Sequence, residues 1–344
     1  MGPRDIALLR NERTDRPRLP WRLLAWFLLL LALGLVITTA VDAVLRRPIE
    51  SVFVLLTPGG PAVQASVAAR NVVFVTTQAV ATIGSVYLAG RFLDRRRFRE
   101  FGFRIDRAWW ADLGFGLVLG AVLMTGVFVV EYLAGWVTVT DLFWIAQPEF
   151  AFWPWFAWSL LTYVSVGVYE ELVARGYLVK NLSEGLTWFD RLGTVGAVAV
   201  ATFGSSVLFG AGHFTNPNAS LASTLGVLFG GLMLATGYVL TGQLGLPIGL
   251  HVTWNFFEGS VYGFPVSGTT HGLSLLATEQ RGPAVVTGGA FGPEAGLIGV
   301  AAATAGIALI VLWAYWRYGT VTIDPNVPRF GGDGSPPVAP RGGD

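Results

Sequence analysis

The chain has 344 residues, of which 53% are hydrophobic and only 13% charged, with a net charge of +1. Soluble domains carry roughly 25% charged residues, so this is the composition of an integral membrane protein, and the mean hydropathy of +0.57 agrees. The near-zero charge excludes bulk attraction to nucleic acid, and the absence of cysteine removes disulfides, thiolate nucleophiles and thiolate metal sites.

Apolar runs of about 20 residues place eight expected spans, at about 22–44, 66–90, 111–134, 151–178, 194–213, 221–241, 246–263 and 295–316. Residues 1–21 form a basic lead, rich in arginine. The apolar run after it is too long for the core of an ordinary signal peptide, so it reads as a retained signal anchor. The first three spans occupy 22–149. Within them Gly116 and Gly120 form a small-xxx-small pair, as do Gly226 and Gly230 later, and both pairs predict close helix packing. Trp109, Trp110, Trp153 and Trp155 sit near span ends, where an interfacial aromatic belt is expected.

The next stretch, 150–262, holds four spans and most of the polar chemistry. Residues 263–294 form a long Gly/Thr-rich extracytoplasmic loop whose His271 reads as a solvated loop histidine. A last span at 295–317 leads to a tail, 318–344, rich in Pro, Gly and Asp and expected to be disordered. Arginines crowd the N-terminal segment and the loop of Arg91, Arg95, Arg96, Arg97, Arg99, Arg104 and Arg107. The positive-inside rule therefore puts both termini in the cytoplasm. The expected fold is all-α, a polytopic membrane helix bundle of about eight transmembrane helices.

Ionisable groups in hydrocarbon are costly unless paired or facing a wet cavity, so an intramembrane cluster marks a functional site. Glu170 and Glu171 lie together at the lower end of the fourth span, with Arg175 four residues after the second. On a helix Glu171 and Arg175 share a face, whereas Glu170 points about 100° away. The division is one carboxylate held ionised by arginine and one free to exchange a proton. His213 closes the fifth span. His251 and Asn255 project from one face of the seventh, and Glu258 extends that stripe. Two carboxylates, two imidazoles and an amide suit acid/base hydrolysis. A buried ion pair fixing the bundle and a transporter proton relay are the competing readings.

Glu-Glu-x-x-x-Arg (170–175), Phe-x-x-x-His (209–213) and His-x-x-x-Asn (251–255), in that order on successive membrane helices, resemble the CAAX protease and bacteriocin-processing family. That family includes the Ras-converting endoprotease of eukaryotes. The likeness covers roughly 150–262. Tyr177 and the Thr241-Gly242-Gln243-Leu244 turn before Pro247 are also similar to the family pattern. The resemblance implies an intramembrane endopeptidase acting on a membrane-associated or prenylated peptide or protein, with the lipid bilayer as its other partner and no nucleic acid. It implies Glu170 as the general base, Glu171 and Arg175 as its support, and His213 as the group that orients the water. His251 and Asn255 then stabilise the oxyanion.

The family is described both as metalloproteases and as metal-independent glutamate proteases. Glu170, His213 and His251 are the candidate ligands of a Zn²⁺ site with an open position. The sequence lacks His-Glu-x-x-His, and the reading adopted is a glutamate-activated water without an obligatory metal. The alternative is a non-catalytic scaffold or bacteriocin self-immunity protein. A transporter is disfavoured because no inverted repeat or broken-helix pair is evident. One feature resists convergence: His213 falls at the far end of its span, while Glu170 is only about 15 Å from the cytoplasmic edge at Lys180. A shared site needs the fifth span to begin deep or tilt, or 183–192 to form an interfacial segment.

The arginine asymmetry is testable. Cysteine labels placed at Gly2 and Gly343 are expected to react from the same, cytoplasmic face. Reaction from opposite faces would overturn the eight-span arrangement.

Overall fold

The computed structural model describes residues 9–11, 14–56, 62–148 and 150–329. The chain divides into two compact units, Met1–Phe101 and Gly102–Asp344. In the first, a two-residue antiparallel ladder, β1 (Arg10–Asn11) with β2 (Arg16–Pro17), precedes two long helices, α1 (Leu19–Leu56) and α2 (Ala62–Phe92). Lipid-length helices bind each other weakly through apolar contact alone, so polar contacts matter. The Trp26 indole donates to Ser85 Oγ at 3.2 Å, and Arg22 Nη1 to Asp94 Oδ1 at 2.6 Å. The helix from Leu19 joins part of the expected lead to the first span. The lead's residues 1–8, 12 and 13 lie outside the described residues.

The second unit is a bundle of α3 (Arg107–Leu133), α4 (Phe152–Glu171), α5 (Lys180–Leu186), α6 (Gly193–Gly212), α7 (Leu221–Thr241), α8 (Gly245–Asn255) and α9 (Leu297–Tyr318). Local chemistry sets their ends. Asp106 caps α3 by accepting from Trp109 N at 2.9 Å, and Ser220 with Ser223 forms a reciprocal box at the start of α7. Gly242, at φ +65°, ends α7 in the left-handed region that glycine adopts freely.

Among the described residues six helices are long and apolar enough to cross a membrane: Leu19–Val52, Ala69–Phe92, Arg107–Leu133, Gly193–Gly212, Leu221–Thr241 and Leu297–Tyr318. The chain is thus a multi-pass membrane protein with a polytopic helical bundle. The other two expected spans are helical but built differently. α4 carries Trp153, Trp155, Trp158 and both glutamates, then continues as a π-helix over Leu172–Val179. α8 has 11 residues before its own π-helix, Phe256–Val261. π-Helical turns cluster at functional sites; here the first carries Arg175 of the Glu-Glu-x-x-x-Arg motif and the second follows Asn255.

α3 and α8 approach backbone to backbone. A Cβ on Gly116 would run into the Leu246 carbonyl, and one on Gly120 into the Leu250 carbonyl. From α8, a Cβ on Gly245 would lie 2.5 Å from the Trp109 carbonyl oxygen, and one on Gly249 would strike that of Leu113. Small residues on both helices permit this contact. The second expected pair behaves otherwise. Gly226 packs against the carbonyl of Glu294, in the return segment before α9 (residues 281–296), rather than against another long helix, and Gly230 faces open space. Around the α3–α8 seam the core gathers Leu119, Leu123, Met124, Met233, Leu250 and Ile310.

Three features depart from the sequence reading. The loops carry an antiparallel pair, β3 (Val137–Ile145) with β4 (Leu273–Gln280), so 263–294 is not a plain loop. Alternation at Val137-Thr138-Val139-Thr140 is the signal that was present. His271 is exposed, as expected, but its ring meets Tyr163 at 5.1 Å. The tail, expected to lack order from 318, is ordered as far as Arg329. Asp324 N donates to Val239 O at 2.9 Å, and Lys180 Nζ to Asn326 O at 2.6 Å. Backbone pairing of this kind overrides a Pro/Gly-rich composition. Residues 330–344 lie outside the described residues.

The seam makes a quantitative expectation. Gly120→Val should lower stability by about 1–3 kcal/mol through overpacking, whereas Gly126→Ala, facing open space, should stay within about 0.5 kcal/mol. Thermal unfolding of the two variants in detergent checks this; equal midpoints would remove the close-approach account.

Candidate active site

The site is assembled around Glu171, which is fully buried at the last turn of α4. A buried carboxylate needs partners, because desolvation of an unpaired charge is prohibitive. Glu171 Oε1 accepts from Arg175 Nη1 at 2.7 Å and from His251 Nδ1 at 2.9 Å. Arg175, one turn on in the π-helix, also donates Nη2 to the Gly231 carbonyl at 2.8 Å. Its guanidinium lies over the Phe209 ring at 4.5 Å, a cation–π contact strengthened by dryness. Four elements therefore meet on one ion pair: α4 with its π-helix, α6, α7 and α8.

His251 lies between the two carboxylates. Its Nδ1 side is held by Glu171, and its Nε2 lies 3.8 Å from Glu170 Oε2. That gap is too long for a direct hydrogen bond. Glu170 has a side chain 23% exposed, against 0% for Glu171. The two glutamates are thus separated by environment, one clamped and one open. With Nδ1–H donated to Glu171, Nε2 is an acceptor in the neutral ring and a second donor in the cation. Asn255 is buried one turn beyond His251 on α8.

His213 caps α6. Its Nδ1 bonds the Phe209 carbonyl at 2.8 Å, which turns Nε2 away from its own backbone. The Phe209 ring touches both imidazoles, with centroids 4.9 Å from His213 and 6.1 Å from His251. The depth mismatch expected for His213 has a local solution. Ser205 Oγ donates to the Ala174 carbonyl at 2.6 Å, and Gly231, in the middle of α7, packs against Ser206 and Phe209. The C-terminal part of α6 therefore lies beside the π-helix that carries Arg175.

The geometry adds groups that the motifs did not single out. The Gly231 carbonyl is one. Glu294 is another: it accepts from Ser267 N at 3.0 Å and Ser267 Oγ at 2.7 Å, close enough to His213 and His251 for both imidazoles to act on it. Burial pushes the Glu294 carboxyl up from its ordinary range, and the Ser267 hydroxyl bond, followed by the two imidazoles, opposes that shift. Nothing in the local sequence marks Glu294, because only the return of the chain before α9 brings it to the bundle.

The family pattern allows a zinc site on Glu170, His213 and His251. Among the described residues no three His, Cys, Asp or Glu side chains gather as ligands. The Nδ1 of each imidazole is bonded to Glu171 or to the Phe209 carbonyl, which leaves each Nε2 as the free ring nitrogen. A catalytic Zn²⁺ takes three protein ligands and a water, and Glu170, His213 and His251 do not form that set.

Residues 152–257 match the model of the family described as type II CAAX prenyl endopeptidase Rce1-like. The curated proteins and the solved structures give no significant match. The matched stretch begins with α4, ends two residues after Asn255, and contains Glu170, Glu171, Arg175, His213 and His251. The polar cluster and the family match therefore coincide, and residues 152–257 are an Rce1-like stretch, similar to type II CAAX prenyl endopeptidases, within a multi-pass membrane protein.

Proposed function

We propose that the chain is an intramembrane endopeptidase in which Glu170 activates a water to cleave a membrane-associated or prenylated CAAX-type peptide. The observation that carries this reading is the His251 ring between a clamped carboxylate and an open one. A water lying beside the 3.8 Å gap can hydrogen-bond to both Glu170 Oε2 and His251 Nε2. Glu170 takes a proton from that water as the hydroxide adds to the scissile carbonyl carbon. The tetrahedral oxyanion accepts hydrogen bonds from the Asn255 amide and from His251 Nε2 when the ring carries both protons. Glu170 then returns its proton to the leaving amine as the C–N bond breaks.

Glu171 and Arg175 act through His251 in this scheme, by fixing the ring and its tautomer. His213, with Nδ1 tied back, presents Nε2 to the water from the α6 side. The substrate is expected to reach the site from the bilayer as an extended, membrane-associated segment. No metal is required by these steps.

Parallel measurements of peptide cleavage and thermal stability test the assignment. Glu170→Gln should lower turnover on the order of 10²-fold or more with an unchanged unfolding midpoint. His251→Ala and Asn255→Ala should each cost roughly 2.7–4 kcal/mol of transition-state stabilisation. Glu171→Gln should behave differently: it leaves Arg175 buried beside a neutral amide and should cost about 3–5 kcal/mol of stability. A zinc-selective chelator should leave cleavage intact. Wild-type cleavage by Glu170→Gln, or activity that merely tracks protein abundance across all four variants, would exclude the mechanism and favour a scaffold.

A further inference from the structure

One turn beyond Asn255 the bundle holds a second polar cluster that the hydrolytic scheme does not use. Glu258, in the π-helix after α8, is fully buried, and neither of its carboxyl oxygens makes a hydrogen bond. The Trp254 indole lies beside it without closing a bond of normal geometry. Tyr163 of α4 is buried at 3% exposure, and its hydroxyl also lacks a partner. That hydroxyl presses on Gly259, where a Cβ would strike it. The return segment closes the cluster from the other side. Gly292, at φ +111°, brings its backbone so near that a Cβ would meet the Pro265 carbonyl and lie 3.1 Å from Glu258 Oε1. Two residues later comes Glu294, whose charge acts on Glu258.

Buried oxygens without partners call for a proton, a water or an ion. Neither Glu258 nor Glu294 forms an ion pair with lysine or arginine among the described residues. The oxygens around them are a phenol, a main-chain carbonyl and the hydroxyl of Ser267, alongside the Trp254 indole and the Ser267 backbone N–H. Hard cations select this donor type. Two carboxylates balance a divalent charge, and mixed carboxylate, hydroxyl and carbonyl donors at irregular angles suit Ca²⁺, whereas Mg²⁺ demands near-ideal octahedral geometry. A cavity of about 360 Å³, lined by Thr140, Trp144, Gly259, Gly263, Phe264 and His271 among others, reaches the chain at Gly259, next to Glu258.

We propose that Glu258 and Glu294, with the Tyr163 hydroxyl, the Pro265 carbonyl and water, form a Ca²⁺ site that ties the end of α8 to the return segment and to α4. The set has two carboxylates rather than three, so water completes the coordination. Binding there would clamp the helix that carries His251 and Asn255 and, through Glu294, would border the cluster around His213 and His251.

The test uses the full chain in detergent, stripped with EGTA. Tb³⁺, a luminescent substitute for Ca²⁺, is excited through the neighbouring aromatic rings, and the unfolding midpoint is followed in parallel. The expected result is sensitised Tb³⁺ emission that Ca²⁺ displaces and Mg²⁺ at equal concentration does not. Ca²⁺ at about 100 times its Kd should raise the midpoint by about 4 °C. Glu258→Gln and, separately, Glu294→Gln should weaken binding on the order of 10²-fold or more, while Glu279→Gln on the exposed strand should not. No emission from the wild-type chain, a response to Na⁺ alone, or binding that survives both substitutions would overturn the assignment. The wild-type readings do not depend on any variant folding. Ca²⁺ binding is measured apart from cleavage, so its failure leaves the peptidase reading standing.

Discussion

Everything around the polar cluster depends on keeping one charge, the Glu171 carboxylate, inside a dry bundle. At 0% exposure it has lost its hydration, and it recovers stabilisation only from Arg175 at 2.7 Å and His251 at 2.9 Å. Such a pair adds little net stability over an apolar substitute but is severely destabilising if broken. Its structural effect is specificity of position. Arg175 must lie where it reaches both Glu171 and the Gly231 carbonyl, which fixes α7 against the π-helix. His251 must turn its Nδ1 toward Glu171, and that orientation aims Nε2 at Glu170. The functional geometry is thus a consequence of satisfying a buried charge.

That arrangement requires α8 at one depth and one rotation, and the glycine seam supplies both. Gly116 and Gly120 on α3, with Gly245 and Gly249 on α8, bring the helices to backbone contact. Contact this close leaves little freedom to slide, because neighbouring side chains interlock above and below it. The π-helix after Asn255 then changes the helical phase, so Glu258 enters a second, separate polar cluster. Opposite it, the Ser260 hydroxyl donates to Ser159 at 2.9 Å and links the same segment to α4.

The connecting segments do more than join spans. β3 and β4 pair across a sequence gap of more than a hundred residues, and the return segment before α9 places Ser267 and Glu294 against the bundle. Asn216 Nδ2 donates to the Ser267 carbonyl at 2.9 Å, so the turn after His213 is fastened to that same segment. His213 therefore sits at a position defined from both sides, by Phe209 within its own helix and by the loop that follows.

Much of this was legible in the residues. Apolar runs named the helices, because lipid demands about 20 apolar residues per crossing. The spacing of Glu171 and Arg175 announced their ion pair, and that of His251 and Asn255 announced a shared face, because helical geometry is local. Convergence was not legible. The partnership of His251 with Glu171, the bond from Arg175 to Gly231, the approach of Glu294 and the order of the tail as far as Arg329 all join residues far apart in the chain. The sequence by itself determined which segments are helices in a membrane and which side chains could carry charge there. Only the tertiary structure decided which of those charges meet, because a buried group's partner is chosen by the packing of whole helices, and no local spacing encodes how two helices meet.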